Sequence, residues 1–279
     1  MPKYLITTPH SSEFIPPELN QRILSSEHDI RNSCDVGTEL IAGGVKGALD
    51  SSFFGAVHKA NINRLTVDLN RIPTGSSKNG VYRDRDMAGN PIYKPGKELV
   101  AGEKFKMLET YYYPWHNQFD RYLSTEPLRL HLDLHNVVFN RKIKKAKFGD
   151  FCDVDLGIRS EPDSFTPHDK EGLTFPRGEV EGLIESVTKH FGDFFEETLK
   201  RDKGELRVGL SRVYRGGYNV VKGRDRGNFE NGTPRSFQIE FVREYGTGAN
   251  GLPDAQKIAA LSKVVAKIVD DILTNTLKQ

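Results

Sequence analysis

The chain has 279 residues, enough for one large α/β domain with a substantial core or for two small domains. Its 40 basic and 38 acidic residues leave a net charge of +2, which gives no electrostatic reason to expect a nucleic acid partner. No apolar run approaches the ~20 residues that cross a bilayer, the amino terminus lacks a secretory signal, and the two cysteines fit a reducing compartment. We therefore expect a cytoplasmic protein with no nucleic acid and no membrane as partner.

Segments with strand composition alternate along the chain with segments of helical periodicity. The first strand is predicted at 3–8, where Tyr4 to Thr8 suit a half-buried pleated surface and Pro9 ends it. Further strands are predicted at 52–57, 64–68, 128–134, 153–158, 206–210 and 236–241, and helices at 36–49, 103–123, 175–195 and 254–277. Without an internal repeat or a linker, this alternation predicts an α/β fold in which residues 1–279 form a single three-layer αβα domain of the phosphorylase/hydrolase-like kind. Its central sheet is expected to be mixed and mostly parallel.

Three segments interrupt this pattern. Residues 73–102 are rich in Gly, Pro, Asn and Lys, and include Tyr-Arg-Asp-Arg-Asp at 82–86; a loop of that length is often functional. Pro114 lies inside the helix predicted at 103–123 and predicts a kink or a break there. The basic run at 141–147 is either a solvated loop or an attraction for an acidic substrate.

Polar side chains gather at four places where a predicted strand stops. The four motifs are Pro-His-Ser-Ser-Glu at 9–13, Val-Asp-Leu-Asn-Arg at 67–71, Leu-Asp-Leu-His-Asn at 132–136 and Phe-Gln-Ile-Glu at 237–240. Each has a purely structural explanation when taken alone, as a satisfied histidine, a surface turn or a helix cap. Ligands bind at the carboxyl ends of strands in open α/β sheets, so four such ends together indicate a functional site.

The residue types at these strand ends suit one kind of chemistry. Zinc in hydrolases takes three protein ligands from His, Asp and Glu and keeps water in the fourth position. The metal lowers the pKa of that water and polarises a carbonyl, and a carboxylate that is not a ligand can take the proton. An Arg fork grips a carboxylate through two hydrogen bonds. The set therefore predicts metal-dependent hydrolysis of an acidic substrate.

In this order, the motifs resemble the N-formylglutamate amidohydrolase family, which is similar in architecture to zinc carboxypeptidases and aspartoacylases. The matching segments are Pro-His-Ser at 9–11 with Ile-Pro at 15–16, Asp-x-Gly at 35–37, Asp-x-Asn-Arg-x-Pro at 68–73, Asp-Leu-His at 133–135, Asp-x-x-Leu-Gly-x-Arg at 153–159, Arg-x-x-x-Gly-Gly-Tyr at 212–218 and Gln-x-Glu at 238–240. The resemblance runs from residue 9 to about residue 245, nearly the whole chain.

The resemblance implies a single zinc ion bound by His10 and His135. The third ligand is open between Glu13, which has the His-x-x-Glu spacing of zinc carboxypeptidases, and Asp35. Asp133 lies two residues before His135 and therefore on the same face of a strand. We expect it to orient the histidine ring without binding the metal.

The resemblance also implies the residues that act on the substrate. Glu240 is the expected general base, and Asn70 with Arg71 is expected to hold a substrate carboxylate. Arg159 and Arg215 are candidates for further anion contacts, or for structural ion pairs. The implied activity is zinc-dependent hydrolysis of the amide bond of a small anionic N-acyl amino acid, with N-formylglutamate as the first candidate.

Three other functions remain open from the sequence. A zinc carboxypeptidase or a peptidoglycan amidase would use the same side chains, and a non-catalytic relative would keep the fold and bind an anion. The sequence does not distinguish the acyl group, the amino acid or the oligomeric state.

Overall fold

A computed structural model describes residues 3–49, 52–73, 80–86, 89–125, 127–137, 152–160, 166, 172–211 and 217–275. These residues form one six-stranded sheet with the strand order β2-β1-β3-β6-β4-β5. The strands are β1 Lys3–Thr8, β2 Phe54–Lys59, β3 Leu130–Val137, β4 Val154–Gly157, β5 Val208–Leu210 and β6 Ser236–Val242. Neighbouring strands are parallel except for β4 and β6, so the predicted mixed, mostly parallel sheet is confirmed.

Helices lie before, between and after the strands. In the described residues they are α1 Glu27–Ser33, α2 Thr38–Leu49, α3 Ala101–Met107, α4 Tyr113–Thr125, α5 Val180–Glu197, α6 Tyr218–Arg226 and α7 Ala255–Asn275. Short 3₁₀ turns occur at Pro17–Leu19, Arg177–Glu179, Lys203–Glu205, Glu230–Gly232 and Arg243–Tyr245. Every described helix is too short or too polar to cross a lipid bilayer.

The long helix predicted at 103–123 is interrupted. A π-helical turn at Leu108–Tyr112 separates α3 from α4 and immediately precedes Pro114. Proline has no backbone N–H, so Pro114 cannot donate to the carbonyl of Thr110 as a regular helix requires. A π-helical turn therefore lies where Pro114 predicts a kink or a break, and the helical segments on its two sides follow one another without a gap.

The central strand β3 alternates leucines with polar residues, and both of its faces are buried. Leu130, Leu132 and Leu134 belong to an apolar core shared with α2, α5 and α7. His131 and Asp133 point to the opposite face, and Leu5 of β1 belongs there to a second apolar cluster with aromatic residues of α4. The sheet therefore has one apolar face and one face on which buried polar groups lie side by side.

The prediction of a strand at 64–68 is wrong. These residues form a turn, in which the backbone N–H groups of Thr66 and Val67 donate to the carbonyl of Asn63 (3.0 and 3.2 Å). The Asn63 side chain also accepts from Leu65 N (2.8 Å), and such a local bond competes with strand pairing. Consequently the motif at 67–71 follows a turn and does not end a strand.

The loop expected at 73–102 is irregular where it is described. Asp68 N donates to the carbonyl of Val81 (2.9 Å), which ties residues 80–86 to the motif at 67–71. Helix α3 begins at Ala101. Residues 74–79 and 87–88 of the loop, and the basic run at 141–147, lie outside the described residues.

Candidate metal centre and substrate site

Two neighbouring strands and one loop bring three potential metal ligands together. Strands β1 and β3 pair in parallel, so His10, just beyond β1, lies at the same edge of the sheet as His135. Asp35 is anchored there because its backbone N–H donates to the carbonyl of His10 (2.8 Å). One nitrogen of each histidine and one oxygen of Asp35 lie within 4.8 Å of one another, and all three side chains are buried. We call these three residues the metal cluster.

Both histidines of the metal cluster point the same ring nitrogen at Asp35. Oδ2 of Asp35 lies 2.8 Å from Nδ1 of His135 and 3.4 Å from Nδ1 of His10. The opposite nitrogens are held by two other buried carboxylates: Asp68 lies 2.8 Å from Nε2 of His10, and Asp133 lies 2.9 Å from Nε2 of His135. Metal-binding histidines usually donate their second N–H to such a carboxylate, which fixes the ring.

The metal cluster fits a divalent metal ion. The Nδ1 atom of His10 is buried, yet no described residue makes a hydrogen bond with it. A buried nitrogen without a partner is costly, so this atom needs a further ligand. Two imidazole nitrogens and one carboxylate form a donor set that zinc and related ions accept. The residues therefore suit a metal placed between the two Nδ1 atoms and Asp35.

The charges of the metal cluster are set by its neighbours. Burial raises the pKa of Asp35, but its contacts with His10 and His135 outweigh this and hold the pKa below its ordinary value. Burial lowers the pKa of His135, whereas Asp133 and Asp35 raise it well above its ordinary value. At neutral pH the cluster therefore keeps Asp35 ionised and attracts positive charge.

Of the two predicted candidates for the third ligand, the structure brings only Asp35 to the histidines. The Glu13 carboxylate is half exposed, at 50%, and pairs with Nε of Arg31 (3.4 Å) at the surface. The His-x-x-Glu spacing that suggested Glu13 applies to a helix or a regular turn. Here residues 11–16 form neither a helix nor a turn, and Glu13 faces the surface.

Glu240, the predicted general base, lies next to the metal cluster. Strands β3 and β6 pair in parallel with His135 opposite Glu240 and Asp133 opposite Gln238, so these side chains share a face. Gln238 donates from Nε2 to Oε2 of Glu240 (2.8 Å) and accepts from the backbone N–H of Gly217 (3.1 Å). Glu240 is thus oriented beside His135 without contributing one of the clustered ligand atoms.

Asn70 connects the metal centre to α6. Its Oδ1 accepts from the backbone N–H of Asn219 (3.0 Å), and its Nδ2 lies 3.4 Å from Oδ2 of Asp133. A Cβ at Gly217 would lie 2.3 Å from Nδ2 of Asn70, so only glycine permits this close approach. The close packing of Asn70 therefore explains the second glycine of the Gly-Gly-Tyr motif.

Three arginines surround Asp68, and we call Arg64, Arg71 and Arg83 the arginine cluster. Within the described part of the chain, their side-chain nitrogens lie 3.4, 3.8 and 2.8 Å from Oδ2 of Asp68, respectively. Burial raises the pKa of Asp68, but Arg64, His10 and Arg83 together hold it well below its ordinary value. Arg71 was predicted as a substrate contact, whereas Arg64 and Arg83 were missed.

Two further residues missed in the sequence support the metal cluster. Arg243, just beyond β6, donates from Nη2 to the carbonyls of Asn32 (3.1 Å) and Cys34, and so fixes the backbone before Asp35. Thr7 donates to Oδ1 of Asp133, the carboxylate that holds His135. Neither contact has a sequence signal, because each joins segments that are far apart in the chain.

Of the other two predicted anion contacts, Arg159 is not brought to the metal cluster. Strand β4 runs antiparallel to β6, with Gly157 opposite Gln238. The backbone of Arg159 therefore lies towards the amino ends of β3 and β6, away from the edge that carries the histidines. Arg215 lies outside the described residues.

Comparison with known proteins gives a consistent result. The family model of N-formylglutamate amidohydrolase matches residues 3–245. Among solved structures, the chain is similar to N-formylglutamate amidohydrolase from Ralstonia eutropha JMP134, with 19% identity, a TM-score of 0.71 and coverage of 98% of this chain and 94% of that one. It is also similar to the gene product Atu2144 from Agrobacterium tumefaciens, with 15% identity, a TM-score of 0.62 and coverage of 99% and 92%.

A comparison with curated protein sequences finds no match. The two structural similarities are at low sequence identity and bear on the fold, whereas the family model spans most of the sequence. This chain belongs to the N-formylglutamate amidohydrolase family.

Proposed function

We propose that this protein is a zinc-dependent hydrolase that cleaves the amide bond of an N-acyl acidic amino acid, with N-formylglutamate as the first candidate substrate. Membership of an amidohydrolase family supports the reaction class. The observation that carries the proposal is the metal cluster, in which two buried histidines turn Nδ1 towards one carboxylate and the Nδ1 of His10 makes no hydrogen bond within the described structure.

The metal cluster would hold the ion and fix its surroundings. Zinc bound there would lower the pKa of a water molecule and polarise the substrate carbonyl. Asp68 and Asp133 keep the two histidine rings in the orientation that leaves Nδ1 available. Asp35 supplies the negative charge that favours a divalent cation over a neutral ligand.

We assign the proton transfer to Glu240. It lies beside His135 on the neighbouring strand and is oriented by Gln238. In the proposed reaction, its carboxylate accepts a proton from the attacking water and returns it to the leaving amine. Replacement by Gln keeps the size of the side chain but removes its basicity.

We assign the binding of the substrate carboxylate to Arg71. Its side chain is 42% exposed, and its Nε lies 3.8 Å from Asp68, which contacts His10. A carboxylate on this guanidinium would therefore lie near the metal cluster. Asn70 positions the same loop through its bonds to α6 and β3.

Metal analysis combined with a formate-release assay tests the proposal. The purified protein should contain about one zinc ion per chain, and it should release formate from N-formylglutamate faster than from N-formyl amino acids with neutral side chains. Cleavage of peptides without formate release would instead identify a carboxypeptidase or a peptidoglycan amidase. Metal binding with no turnover of any substrate would identify a non-catalytic anion-binding protein.

The variant Glu240→Gln separates catalysis from metal binding. A proton-transfer group contributes typically ~10²–10⁴-fold, so kcat should fall by about that factor while the zinc content stays near the wild-type value. Both quantities are measured on the same preparation. Loss of zinc would make Glu240 a ligand, and unchanged kcat would remove it from the mechanism.

A further inference from the structure

The segment 80–86, part of the loop predicted at 73–102, is built into the substrate site. Val81 is buried in the same apolar cluster as Leu69, and its carbonyl accepts from Asp68 N (2.9 Å). This docking places Nη2 of Arg83 2.8 Å from Oδ2 of Asp68, where the Arg83 side chain is only 12% exposed. Arg83 therefore reaches the metal centre from a segment that the family motifs do not include.

The arginine cluster concentrates positive charge around one carboxylate. Burial lowers the pKa of Arg83; the charge of Asp68 raises it, while the nearby charges of Arg64 and Arg71 lower it further. Like charges held this close repel each other, and the repulsion is larger where water is excluded. An anion bound between the guanidinium groups would relieve it.

Arg71 and Arg83 approach the same carboxylate oxygen, Oδ2 of Asp68, at 3.8 and 2.8 Å. Two guanidinium groups this close together suit a substrate that carries two carboxylates.

We propose that Arg83 is a specificity-determining residue that binds the second carboxylate of an N-acyl dicarboxylic amino acid, while Arg71 holds the first. This inference rests on the proposed function, because it requires the substrate to lie at the metal cluster. A planar guanidinium matches a carboxylate with two hydrogen bonds and cannot make the same charged pair with an amide. Arg83 thus selects acidic side chains over their neutral isosteres.

The zinc-loaded variant Arg83→Gln tests this role with two substrates of the same shape. For N-formylglutamate, kcat/KM should fall about 10- to 150-fold, as expected for the loss of one charge-assisted hydrogen bond. For N-formylglutamine, kcat/KM should change little, so the preference between the two substrates should collapse. Zinc content is measured in parallel. An equal loss on both substrates would mean that Arg83 only supports Asp68 and His10, and would overturn the proposal.

Arg85 provides a matched control in the same segment. It is exposed and donates to the carbonyl of Gly89 (2.8 Å), so Arg85→Gln should keep the wild-type preference. If Arg83→Gln does not fold, wild-type inhibition gives a second readout. Glutarate should inhibit formate release from N-formylglutamate more strongly than its monoamide, glutaramate, and equal inhibition would count against the second carboxylate site.

The result also distinguishes this inference from the proposed function. A wild-type protein that hydrolyses neither substrate contradicts the proposed function itself. An active wild-type protein whose preference is unchanged in Arg83→Gln contradicts only the role of Arg83.

Discussion

Each histidine of the metal cluster lies between two carboxylates, and this arrangement decides which ring nitrogen would meet the proposed metal. Asp68 and Asp133 occupy the Nε2 atoms of His10 and His135, so Asp35 and the Nδ1 atoms remain for the ion. The side chain of Asp133 is held in turn by Thr7, which also lies 3.0 Å from Nε2 of His131. Metal affinity at this site should therefore depend on residues that never touch the ion.

The choice of the third ligand can be tested with two conservative variants. Asp35→Asn removes the negative charge between the two histidines and should leave the purified protein with little zinc. Glu13→Gln alters only an exposed ion pair with Arg31 and should retain the wild-type zinc content. Zinc is measured after dialysis against buffer free of metal. The opposite result would place Glu13 on the metal.

Thr7→Val removes the hydroxyl that supports Asp133 while keeping the side-chain shape. Loss of such a supporting bond typically weakens metal binding by ~10- to 100-fold, and we expect the zinc dissociation constant to rise by about that factor. Thr8→Val is the control, since among the described residues the neighbouring hydroxyl bonds with Oγ of Ser11 (3.2 Å), which is not part of the metal cluster. Equal zinc affinity in both variants would exclude a role for Thr7.

At the scale of helices, α2 and α7 pack on the apolar face of the sheet through a close contact. A Cβ at Gly44 would lie 2.3 Å from Oγ and 2.7 Å from Cβ of Ser262. The Ser262 hydroxyl already donates to the carbonyl of Ile258 (2.8 Å) in its own helix, so it cannot move away without losing that bond. A glycine is therefore required where the two helices cross.

The neighbouring glycine makes this requirement testable. Gly44→Ala should lower the free energy of unfolding by about 1–3 kcal/mol, because an added methyl group overpacks the contact. No described atom outside the helix backbone lies within 4 Å of a Cβ at Gly43. Gly43→Ala should thus raise stability by roughly 0.5–1 kcal/mol through helix propensity. Urea denaturation at pH 7.5 measures both, and similar effects in the two variants would refute the close contact.

The positions of helices and strands follow from local patterns and could be predicted from the sequence. The burial of the polar face of the sheet, which carries His135 and Glu240, could not. The strand predicted at 128–134 ends before His135, but β3 continues to Val137. Alternating apolar and polar residues ordinarily mark a sheet with one solvated face. In this protein the polar face is buried, so His135 lies inside the strand and next to Glu240.

The residues of the candidate site could likewise be predicted only where they belong to a local motif, and Arg83 of the arginine cluster does not. The ordered motifs identify His10, His135 and Asp35 as residues to consider, because each motif is local in the chain. Arg83 reaches Asp68 only because Val81 packs into the core and its carbonyl pairs with the Asp68 backbone. Such contacts depend on the tertiary fold and leave no mark on spacing or periodicity.

At the scale of the whole molecule, buried histidines outside the metal cluster make stability depend on pH. His58 of β2 stacks on Trp115 with ring centroids 4.3 Å apart and donates to its carbonyl (3.0 Å). Burial lowers the pKa of His58 to about 4, and the charge of Lys222 contributes in the same direction. Burial likewise lowers the pKa of His131 to about 4.

The sign of this dependence follows from the difference between folded and unfolded states. The folded pKa of His58 lies below the unfolded value of 6.5, so the unfolded chain takes up the proton first as the pH falls from 6.5 towards 4. Stability should therefore decrease over this range. When the pH falls from 7.5 to 5.5, the free energy of unfolding should decrease by about 1 kcal/mol less in His58→Phe than in the wild type.

Urea denaturation at the two pH values measures this difference. His28→Gln is the control, because His28 is exposed on α1 and its substitution should leave the pH dependence unchanged. If the free energy of unfolding decreases equally in His58→Phe and in the wild type, His58 is not a buried group that stays neutral in the folded protein.

The clamp that Arg243 forms on the backbone of Asn32 and Cys34 has a consequence for biosynthesis. The ribosome delivers His10, Asp35 and His135 early, but the residue that fixes Asp35 emerges only after β6. The pairing of β3 with β6, which brings Glu240 beside His135, is equally late. Contacts between distant segments form slowly, since their loops must close first. A nascent chain that ends before β6 therefore has all three ligands yet no complete site, and we expect the metal to be taken up after synthesis.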